Sequence, residues 1–420
     1  MGKRKRFCQE RILYVIIKVT RAVPTIELAF MLKIGVNALF LRKVETGIGR
    51  VTKSLLAEIA RLDRSNQYYL YTDSRVPFSF PANFRIKILS STFYRREDLI
   101  KQTFWERITI AREAEKDKLN VFFSPYNAAT RFKTIPHLVL LHDVIWKALA
   151  PTYLYNFRRR IYAQQTFEAA RAAKRILTVS EFSRQDIIKH LDIEPERIKV
   201  IGAGVSSVFR PLEKNDRRLL RTLAKFNINH PFIFYIGGFE IRKNVGLLIK
   251  SFAKLLKNYG SNLKNRILVI GGDPPTVVNP LLEDVKGMAA SLGIADRVKF
   301  VGKVTDEEMM CLYNGADFFV FPSLYEGFGL NVLEGMACGT PIIASEINPI
   351  KEVAQDTVYY FHPEREDELI QAINRFLTDQ VIKEELRVKA INRARVFNWN
   401  KPAKILLEEL KISAKGQENS

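Results

Sequence analysis

Residues 318–341 read FFVFPSLYEGFGLNVLEGMACGTP, and this stretch decides the fold of the chain. Its first four residues are apolar and predict a buried strand. A loop with two glycines follows, and a helix is predicted to start near Leu330. Strand, glycine turn and helix in this order form the repeating unit of a doubly wound parallel sheet, in which ligands bind beyond the carboxyl ends of the strands.

The same alternation of strands and helices extends through most of the chain. It is interrupted once, by a polar stretch at 211–218, and starts again at residue 232. The pattern predicts an α/β protein with two Rossmann-like, doubly wound parallel-sheet domains that face a cleft. We expect the first domain at 31–210 and the second at 211–395. A C-terminal helix and tail at 396–420 are expected to pack across both domains.

Each predicted strand is a short apolar run, and each predicted helix has apolar residues at a period of about 3.6. The predicted strands are 32–38, 68–71, 86–89, 121–123, 138–141, 176–179, 198–201, 232–236, 267–270, 298–301, 318–321, 341–344 and 358–361. The predicted helices are 50–61, 154–173, 181–190, 245–256 and 306–313.

The composition is that of a globular chain with more than one core. The 420 residues exceed the ~250–300 at which a single core stops growing. A hydrophobic content of 47% excludes a disordered chain. Three cysteines (Cys8, Cys311 and Cys338) have no paired spacing, so we expect neither disulfides nor a zinc site. A reducing, cytoplasmic compartment fits this pattern.

The net charge of +21 lies almost wholly in the first half. Residues 1–210 carry 38 Lys and Arg against 19 Asp and Glu, whereas the remaining residues carry 28 against 26. This asymmetry indicates an anionic partner for the first half: lipid head groups, an acceptor with a diphosphate, or nucleic acid. For any single cluster, such as the arginines at 158–160, a solvated helix face is an equal alternative.

Residues 1–30 are interpreted as an N-terminal extension. Four basic residues at 3–6 precede an apolar run at 12–19, but Lys18 and Arg21 interrupt the run and no small-residue cleavage site follows. No apolar run in the sequence reaches the ~18–20 residues of a membrane span. A basic, apolar segment of this kind can instead lie on a membrane surface.

Two carboxylates and free amides are expected to face the cleft after the strand at 318–321. Gly327 and Gly329 let the backbone approach a ligand closely, and the amides of the following helix start suit a phosphate or sugar hydroxyls. Glu326 and Glu334 can accept hydrogen bonds from vicinal hydroxyls, as in ribose or a hexose. Taken singly, each glutamate is equally well explained as a helix cap or a solvated side chain.

A second motif follows the strand at 232–236. Gly237 and Gly238 turn the chain, and Arg242 and Lys243 stand just before a helix. Two cations beside a helix N-terminus favour binding of a diphosphate. The planar guanidinium of Arg can donate two parallel hydrogen bonds to it, whereas the ammonium of Lys acts as a compact positive charge. Adjacent cations alone are more often surface charge, but the position after a strand and a glycine turn favours a ligand site.

Two further strand ends carry polar or glycine residues. Gly47 and Gly49 follow the first strand, in a turn without the third glycine of a dinucleotide fingerprint and without a phosphate-loop lysine. Both absences argue against dehydrogenases and ATPases. His142 and Asp143 close the strand at 138–141, where a histidine bonded only to backbone is the alternative interpretation.

The run from Glu326 to Pro341 resembles the signature of glycosyltransferase family 4, retaining enzymes of the GT-B fold with two glutamates eight positions apart. The resemblance extends over about residues 32–400 and is sharpest in the second half. It implies that Glu326 contacts the donor sugar and Glu334 the nucleotide ribose. Asn331 stands where many members have proline.

The resemblance also implies roles for the other motifs. Arg242 and Lys243 become ligands of the donor diphosphate that stabilise the leaving nucleotide, and His142 contacts the donor sugar near its 6-hydroxyl. The implied catalytic residues are Glu326, His142, Arg242 and Lys243. The implied donor-binding residues are Gly47, Gly49, Gly238, Arg242, Lys243, Glu326, Gly327, Phe328, Gly329, Leu330 and Glu334. Apart from the resemblance, the strand ends offer Asp143, Tyr126 and Asn127 as acceptor-side candidates, and Asp143 can alternatively orient the imidazole of His142.

The reaction implied by the family is transfer of a hexose from a nucleotide diphosphate sugar with retention at the anomeric carbon. The sequence has no His or Cys cluster with metal-ligand spacing and no placed Asp-x-Asp element, so we expect no metal and no other cofactor. Arg242, Lys243 and helix amides replace the metal in this hypothesis. Same-face transfer, in which the leaving phosphate assists deprotonation of the acceptor, is favoured because no nucleophile stands out.

Mannose from GDP-mannose is the expected donor, because the motifs around His142 and Gly49 look most like mannosyltransferases of surface polysaccharide assembly (lipopolysaccharide or capsule). Glucose, galactose and N-acetylhexosamine donors stay open. The basic first half suggests a glycan acceptor on a polyprenyl diphosphate and a peripheral position on the anionic, cytoplasmic face of the plasma membrane.

Three alternatives come from other classes. Another GT-B enzyme, such as a nucleotide-sugar epimerase, would share the architecture. A silent GT-B scaffold that binds membrane would keep the fold without the chemistry. A nucleic-acid-binding protein would explain the charge, but no recognised nucleic-acid motif accompanies it, so no nucleic-acid partner is expected.

Overall fold

The computed structural model describes residues 31–89, 99–258, 263, 265–276 and 279–415. Two parallel β-sheets dominate these residues, one in each half of the chain. The predicted N-terminal extension and the last five residues of the predicted tail lie outside the described residues.

The first sheet has seven parallel strands in the order β3-β2-β1-β4-β5-β6-β7. Chain order reverses between β1 and β4, which makes this the switch point at which a doubly wound sheet binds ligands. Its strands are β1 Lys33–Asn37, β2 Gln67–Thr72, β3 Phe84–Ile88, β4 Val121–Ser124, β5 His137–Leu141, β6 Arg175–Thr178 and β7 Ile198–Val200.

The second sheet has six parallel strands in the order β10-β9-β8-β11-β12-β13, with its switch point between β8 and β11. Strands β8 and β11 are buried along their whole length, as the uninterrupted apolar runs predicted. The strands are β8 Phe232–Ile236, β9 Ile267–Gly271, β10 Val298–Gly302, β11 Phe318–Phe321, β12 Ile342–Ser345 and β13 Tyr359–Phe361. The two sheets confirm the predicted fold class.

Helices connect the strands and cover both faces of each sheet. In the first half they are α1 Gly47–Leu62, α2 Leu99–Phe104, a π-helical turn Trp105–Ile110, α3 Ala111–Lys116, α4 Ile145–Ala148, α5 Ala150–Tyr153, α6 Phe157–Ala172 and α7 Glu181–Leu191. In the second half they are α8 Arg217–Lys225, α9 Val245–Asn258, α10 Val285–Ser291, α11 Asp306–Gly315, α12 Leu330–Cys338, α13 Asn348–Ala354, α14 Glu366–Thr378, α15 Gln380–Ala394 and α16 Asn400–Lys415.

Side-chain caps fix where three of these helices begin. Thr46 accepts a hydrogen bond from the amide of Gly49, so α1 starts three residues before the predicted position. Asn156 caps α6, which therefore starts at Phe157, three residues after the predicted start at 154. Ser180 caps α7, as its sequence indicated.

The chain crosses between the domains twice, and the two crossings touch. The amide of Val205 donates to the carbonyl oxygen of Phe397, and a Cβ on Gly204 would overlap the backbone of Trp399. The first crossing carries the chain into the second domain, and the second crossing brings it back. Both crossings therefore form one hinge region.

The C-terminal helix α16 packs on the first domain, chiefly against α1 and β4. Arg175 Nε donates to Glu409 Oε2 over 2.7 Å, and Asn400 Nδ2 donates to Glu58 Oε1 over 2.9 Å. Ala403, Leu406 and Leu410 of α16 are buried. The strongest contacts of the predicted C-terminal segment are with the first domain, because the apolar face of α16 covers the first sheet, while Phe397 of the same segment packs against Phe328 of the second domain.

None of the helices in the described part of the chain is both long and apolar enough to cross a membrane.

Candidate active site

Most of the predicted site residues lie on the segments that follow the switch-point strands of the two sheets, whereas His142 and Asp143 follow β5. Gly47 and Gly49 come after β1 and Tyr126 after β4, while Gly238 follows β8 and Glu326 follows β11. Because the carboxyl ends of parallel strands share one edge, each sheet brings its two loops together. The two edges face each other across the cleft between the domains.

A cluster of two cations and one carboxylate occupies the second-domain wall. Lys243 Nζ lies 2.5 Å from Glu326 Oε1, and Arg242 Nη1 lies 3.1 Å from Glu326 Oε2. Arg242 also donates from Nε to Glu240 Oε2 over 2.6 Å. The loops after β8 and β11 thus hold four charged side chains against one another, because Glu240 adds a second carboxylate beside Arg242.

Burial and charge act in opposite directions on this cluster. Burial alone raises the pKa of Glu326, but the adjacent Lys243 and Arg242 outweigh it, so the net shift is downward and the carboxylate stays ionised. Burial lowers the pKa of Lys243, and the carboxylate partly offsets that shift. The site therefore holds two positioned cations and one ionised carboxylate in a water-poor environment.

Two of the predicted glycines border open space. A Cβ built on Gly47 or on Gly238 would meet no atom within 4 Å. Gly49 differs, since a Cβ there would overlap the carbonyl of Lys43. Gly47 and Gly238 thus leave room for a ligand to approach the backbone, while Gly49 is required by packing of the loop.

The helix start at α12 has the geometry of an amide site. Gly329 has φ 101°, a conformation that favours glycine, and it immediately precedes Leu330, the first residue of the helix. Phe328 is buried and packs its ring edge against Phe397. Asn331, which departs from the family pattern, donates from Nδ2 to the carbonyl of Ile236 over 2.7 Å. Its side chain thereby ties α12 to the end of β8.

Glu334 forms an ion pair that the sequence analysis did not predict. Its Oε1 accepts from Arg50 Nη2, which belongs to α1 of the first domain. The second oxygen, Oε2, is buried and makes no hydrogen bond with the described residues. Arg50 closes the glycine motif of the first domain, but nothing in its local sequence indicates a partner 284 positions away.

His142 and Asp143 lie at the first-domain edge of the cleft. His142 Nε2 lies 2.9 Å from the carbonyl oxygen of Pro125, which can only accept, so Nε2 carries the proton. Burial lowers the pKa of His142, which leaves a neutral ring with Nδ1 as an acceptor. Burial raises the pKa of Asp143, and nearby Arg242 opposes that shift.

The cleft is closed at Gly327. A Cβ on Gly327 would overlap the carbonyl of His142, so the two domains touch at this point. Ser180 and Ser183 each donate from Oγ to the carbonyl of Gly327, over 2.6 and 3.0 Å. Neither serine was predicted to contact the second domain.

One residue of the expected acceptor-side pair, Tyr126, is placed differently from the prediction. Tyr126 is only 2% exposed, and its hydroxyl donates to Glu106 Oε1 over 2.6 Å. Asn127 Nδ2 donates to Thr166 Oγ1 over 3.2 Å. Tyr126 is therefore a core residue whose hydroxyl is satisfied inside the first domain, and the prediction of a direct acceptor contact is corrected for it.

Among the described residues, no group of three or more His, Cys, Asp or Glu side chains is placed to hold a metal ion. Cys311 and Cys338 are both free and buried.

The two facing sheets and the cleft between them define the GT-B class. Sucrose-phosphate synthase from Thermosynechococcus elongatus superposes with a TM-score of 0.73 at 19% identity, over 90% of this chain and 98% of that one. WaaG, a glycosyltransferase involved in lipopolysaccharide biosynthesis, superposes with a TM-score of 0.70 at 16% identity, over 90% and 99%. Anabaena HepE, solved with UDP-glucose, gives 0.66 at 16% identity, over 90% and 99%.

Two family models match the chain, "Glycosyltransferase Family 4" over residues 46–208 and "Glycosyl transferases group 1" over residues 217–397. The chain therefore belongs to the family 4 glycosyltransferases, as its motifs indicated. It is 30% identical to the serotype-specific mannosyltransferase WbdA of Escherichia coli over 64% of this chain and 32% of that protein. It is also 30% identical to O-antigen chain mannosyltransferase B of Escherichia coli, over 59% and 63%. The chain spans about a third of the length of WbdA.

Proposed function

We propose that the protein transfers a mannosyl residue from GDP-mannose to a glycan or lipid-linked acceptor, with retention and without a metal ion. The observation that carries this proposal is the cluster of Arg242, Lys243 and Glu326 beside the amides of α12. Two cations and free amides suit a diphosphate, and carboxylates suit sugar hydroxyls. The mannosyltransferase relatives support the choice of sugar.

The contacts of Glu326 support a binding role rather than a nucleophilic one. Its carboxylate bonds to both Lys243 and Arg242, which stabilises its charge and weakens it as an attacking group. Retention then proceeds on one face of the sugar, with the leaving phosphate taking the proton of the incoming hydroxyl. Arg242 and Lys243 stabilise the charge that develops on that phosphate.

The same two cations can fulfil the role that a metal has in other transferases. Glu326 holds both side chains in place, each within hydrogen-bond distance of its carboxylate, so little reorganisation is needed during the reaction. A metal-independent reaction is expected to keep its rate in excess chelator, and loss of turnover under EDTA would contradict this part of the proposal.

The acceptor is proposed to reach the cleft from the membrane side. The first half carries the basic excess, and such a surface is attracted to anionic lipid. Association with anionic vesicles that weakens as salt rises is the expected behaviour. Equal recovery with neutral and anionic vesicles would contradict the membrane part of the proposal.

Thermal melting with a panel of nucleotide sugars tests the donor assignment. A ligand at 100 times its Kd stabilises the folded state by about 2.7 kcal/mol. GDP-mannose should therefore raise the melting temperature more than UDP-glucose or any other nucleotide sugar at the same concentration. Lys243→Ala is expected to abolish the rise, whereas Lys257→Ala, an exposed lysine on α9, should keep it. A chain that folds but responds to no nucleotide sugar would overturn the proposed function.

A further inference from the structure

A pocket of about 380 Å³ lies in the first domain, apart from the charged cluster around Glu326. Among the described residues that line it, four carry a positive charge and none is acidic. The cations are Lys43, Arg158, Arg159 and Arg42, the last of which is paired with Asp73, and the lining also includes the aromatic side chains of Phe40 and Trp146. Such a lining suits a ligand with several negative charges and an apolar part.

The pocket borders both loops of the first-domain edge. On one side Lys43 supports the donor loop, because Gly49 packs directly on its backbone. On the other side, Trp146 lies four positions after His142 in the sequence. It packs in a small apolar cluster that includes Ile241 and Tyr325 of the second domain. A ligand held here therefore lies next to the cleft in which the donor is expected.

Aromatic contacts fix one of the cations in place. The guanidinium carbon of Arg159 lies 5.2 Å from the ring centroid of Trp146 and 5.2 Å from that of Tyr155. This arrangement holds the planar fork before a ligand binds, so less entropy is lost on binding. Arg158, one residue earlier, is exposed and free of any ion pair with the described residues.

Apolar side chains are exposed next to the pocket, at the start of α6. Phe157 is 62% exposed and Ile161 is 42% exposed, and Tyr155 beside them is 39% exposed. Large apolar side chains grouped at a surface mark contact with another molecule or with lipid. Here they flank the arginines, which places an apolar surface beside an anion-binding one.

We propose that this pocket binds the diphosphate of a polyprenyl-linked acceptor, with the lipid chain passing over Phe157 and Ile161. This inference rests on the proposed function, since it names the acceptor of the same reaction. The arginines neutralise the diphosphate, and the sugar that it carries extends toward His142. Some of the basic residues of the first half then form a specific binding site, and the others attract the anionic membrane surface.

Binding of farnesyl diphosphate, measured by calorimetry, tests the inference. The donor site is first filled with saturating nucleoside diphosphate, so that Arg242 and Lys243 are occupied. We expect farnesyl diphosphate to bind, and farnesol to bind at least tenfold more weakly. Arg158→Gln and Arg159→Gln should each weaken farnesyl diphosphate roughly tenfold, the loss expected of one charged hydrogen bond.

The matched control is Arg64→Gln, which removes the same charge from an exposed turn after α1. It should leave affinity unchanged. Equal affinity of the Arg158 and Arg64 variants would overturn the site, and inorganic diphosphate binding as tightly as farnesyl diphosphate would overturn the lipid-linked occupant. Melting with nucleotides on the same samples separates the two proposals: a normal response to the donor, with farnesyl diphosphate unbound, rejects the pocket alone.

Discussion

Arg50 on α1 donates to Glu334 on α12, and this ion pair joins the two domains across the cleft. Both side chains are largely buried, at 14% and 5% exposure. One oxygen of Glu334 is thereby fixed, and its second oxygen, Oε2, is presented without a hydrogen-bond partner among the described residues. We infer that Arg50 positions the carboxylate to accept from the donor ribose.

Arg50→Ala is expected to lower both stability and donor affinity. Removing one partner of a buried pair leaves an uncompensated charge, which costs about 3–5 kcal/mol. Arg50→Lys should recover part of the stability, because it restores the charge without the fork. Chemical denaturation and the donor KM measure the two effects.

The control for this prediction is Arg61→Ala on the same helix, whose partner Glu58 is three positions away on the surface. An exposed pair contributes little, so this variant should behave as wild type. Wild-type stability and donor KM in Arg50→Ala would show that the interdomain pair has no positioning role.

Two glycine substitutions are expected to affect activity in different ways. Gly327→Ala places a Cβ against the His142 carbonyl, so it should push the domains apart, lower the melting temperature and reduce kcat. Gly238→Ala meets no protein atom within 4 Å, so it should leave the melting temperature unchanged and raise the donor KM. Melting curves and steady-state kinetics on the two variants check this. An unchanged donor KM in Gly238→Ala would remove Gly238 from the site.

Activity should persist below the ordinary pKa of histidine, which is about 6.5. Burial lowers the pKa of His142, so its Nδ1 stays an acceptor as the pH falls through 6.5 and is lost only at lower pH. His142→Gln keeps an acceptor that does not titrate, and should remove the acid limb of kcat/KM while lowering its plateau about tenfold. A wild-type profile that falls around pH 6.5 would contradict the assigned protonation state.

Glu106 should make stability depend on pH. Complete burial raises the pKa of this carboxyl to about 7, despite donors from Tyr126, Gln102 and the amide of Ala129. Its folded pKa exceeds the unfolded value of about 4.3, so its contribution is fully present below pH 4.3 and is lost as pH rises to about 7.

Glu106→Gln should remove that dependence, and near pH 8 the variant should regain stability relative to wild type by a few kcal/mol, on the order of 1.4 per pKa unit. Urea denaturation at pH 5, 6 and 8 measures the difference. If the difference in the free energy of unfolding between the two proteins stayed constant from pH 5 to pH 8, the raised pKa of Glu106 would be contradicted.

The fold was largely predictable because the central strands of both sheets are fully buried. Phe232–Ile236 and Phe318–Phe321 are uninterrupted apolar runs, and both strands occur where the sequence predicted them. Helix starts were less accurate at Thr46 and Asn156, where a side-chain hydrogen bond, rather than hydrophobic periodicity, decides the first residue.

The site residues were predictable only where they lie close together in the sequence and form a local motif. The loops around Arg242 and Glu326 stood out by local pattern. The partners that join the domains did not, because Arg50 meets Glu334 and Ser183 meets Gly327 through tertiary packing alone. The prediction for Tyr126 was wrong for a related reason: the position of a residue after a strand does not tell whether its side chain points into the core or into the cleft.

The return of the chain to α16 means that the first domain is not contiguous in sequence. Residues 400–415 complete the core of the first domain, so the second domain is in effect an insertion between two parts of its neighbour. Hybrid proteins that exchange the second domain should therefore be joined near residues 210 and 396, with residues 400–415 retained. A deletion of residues 400–415 would expose the hydrophobic surface of the first domain, although this segment follows the second domain in the gene.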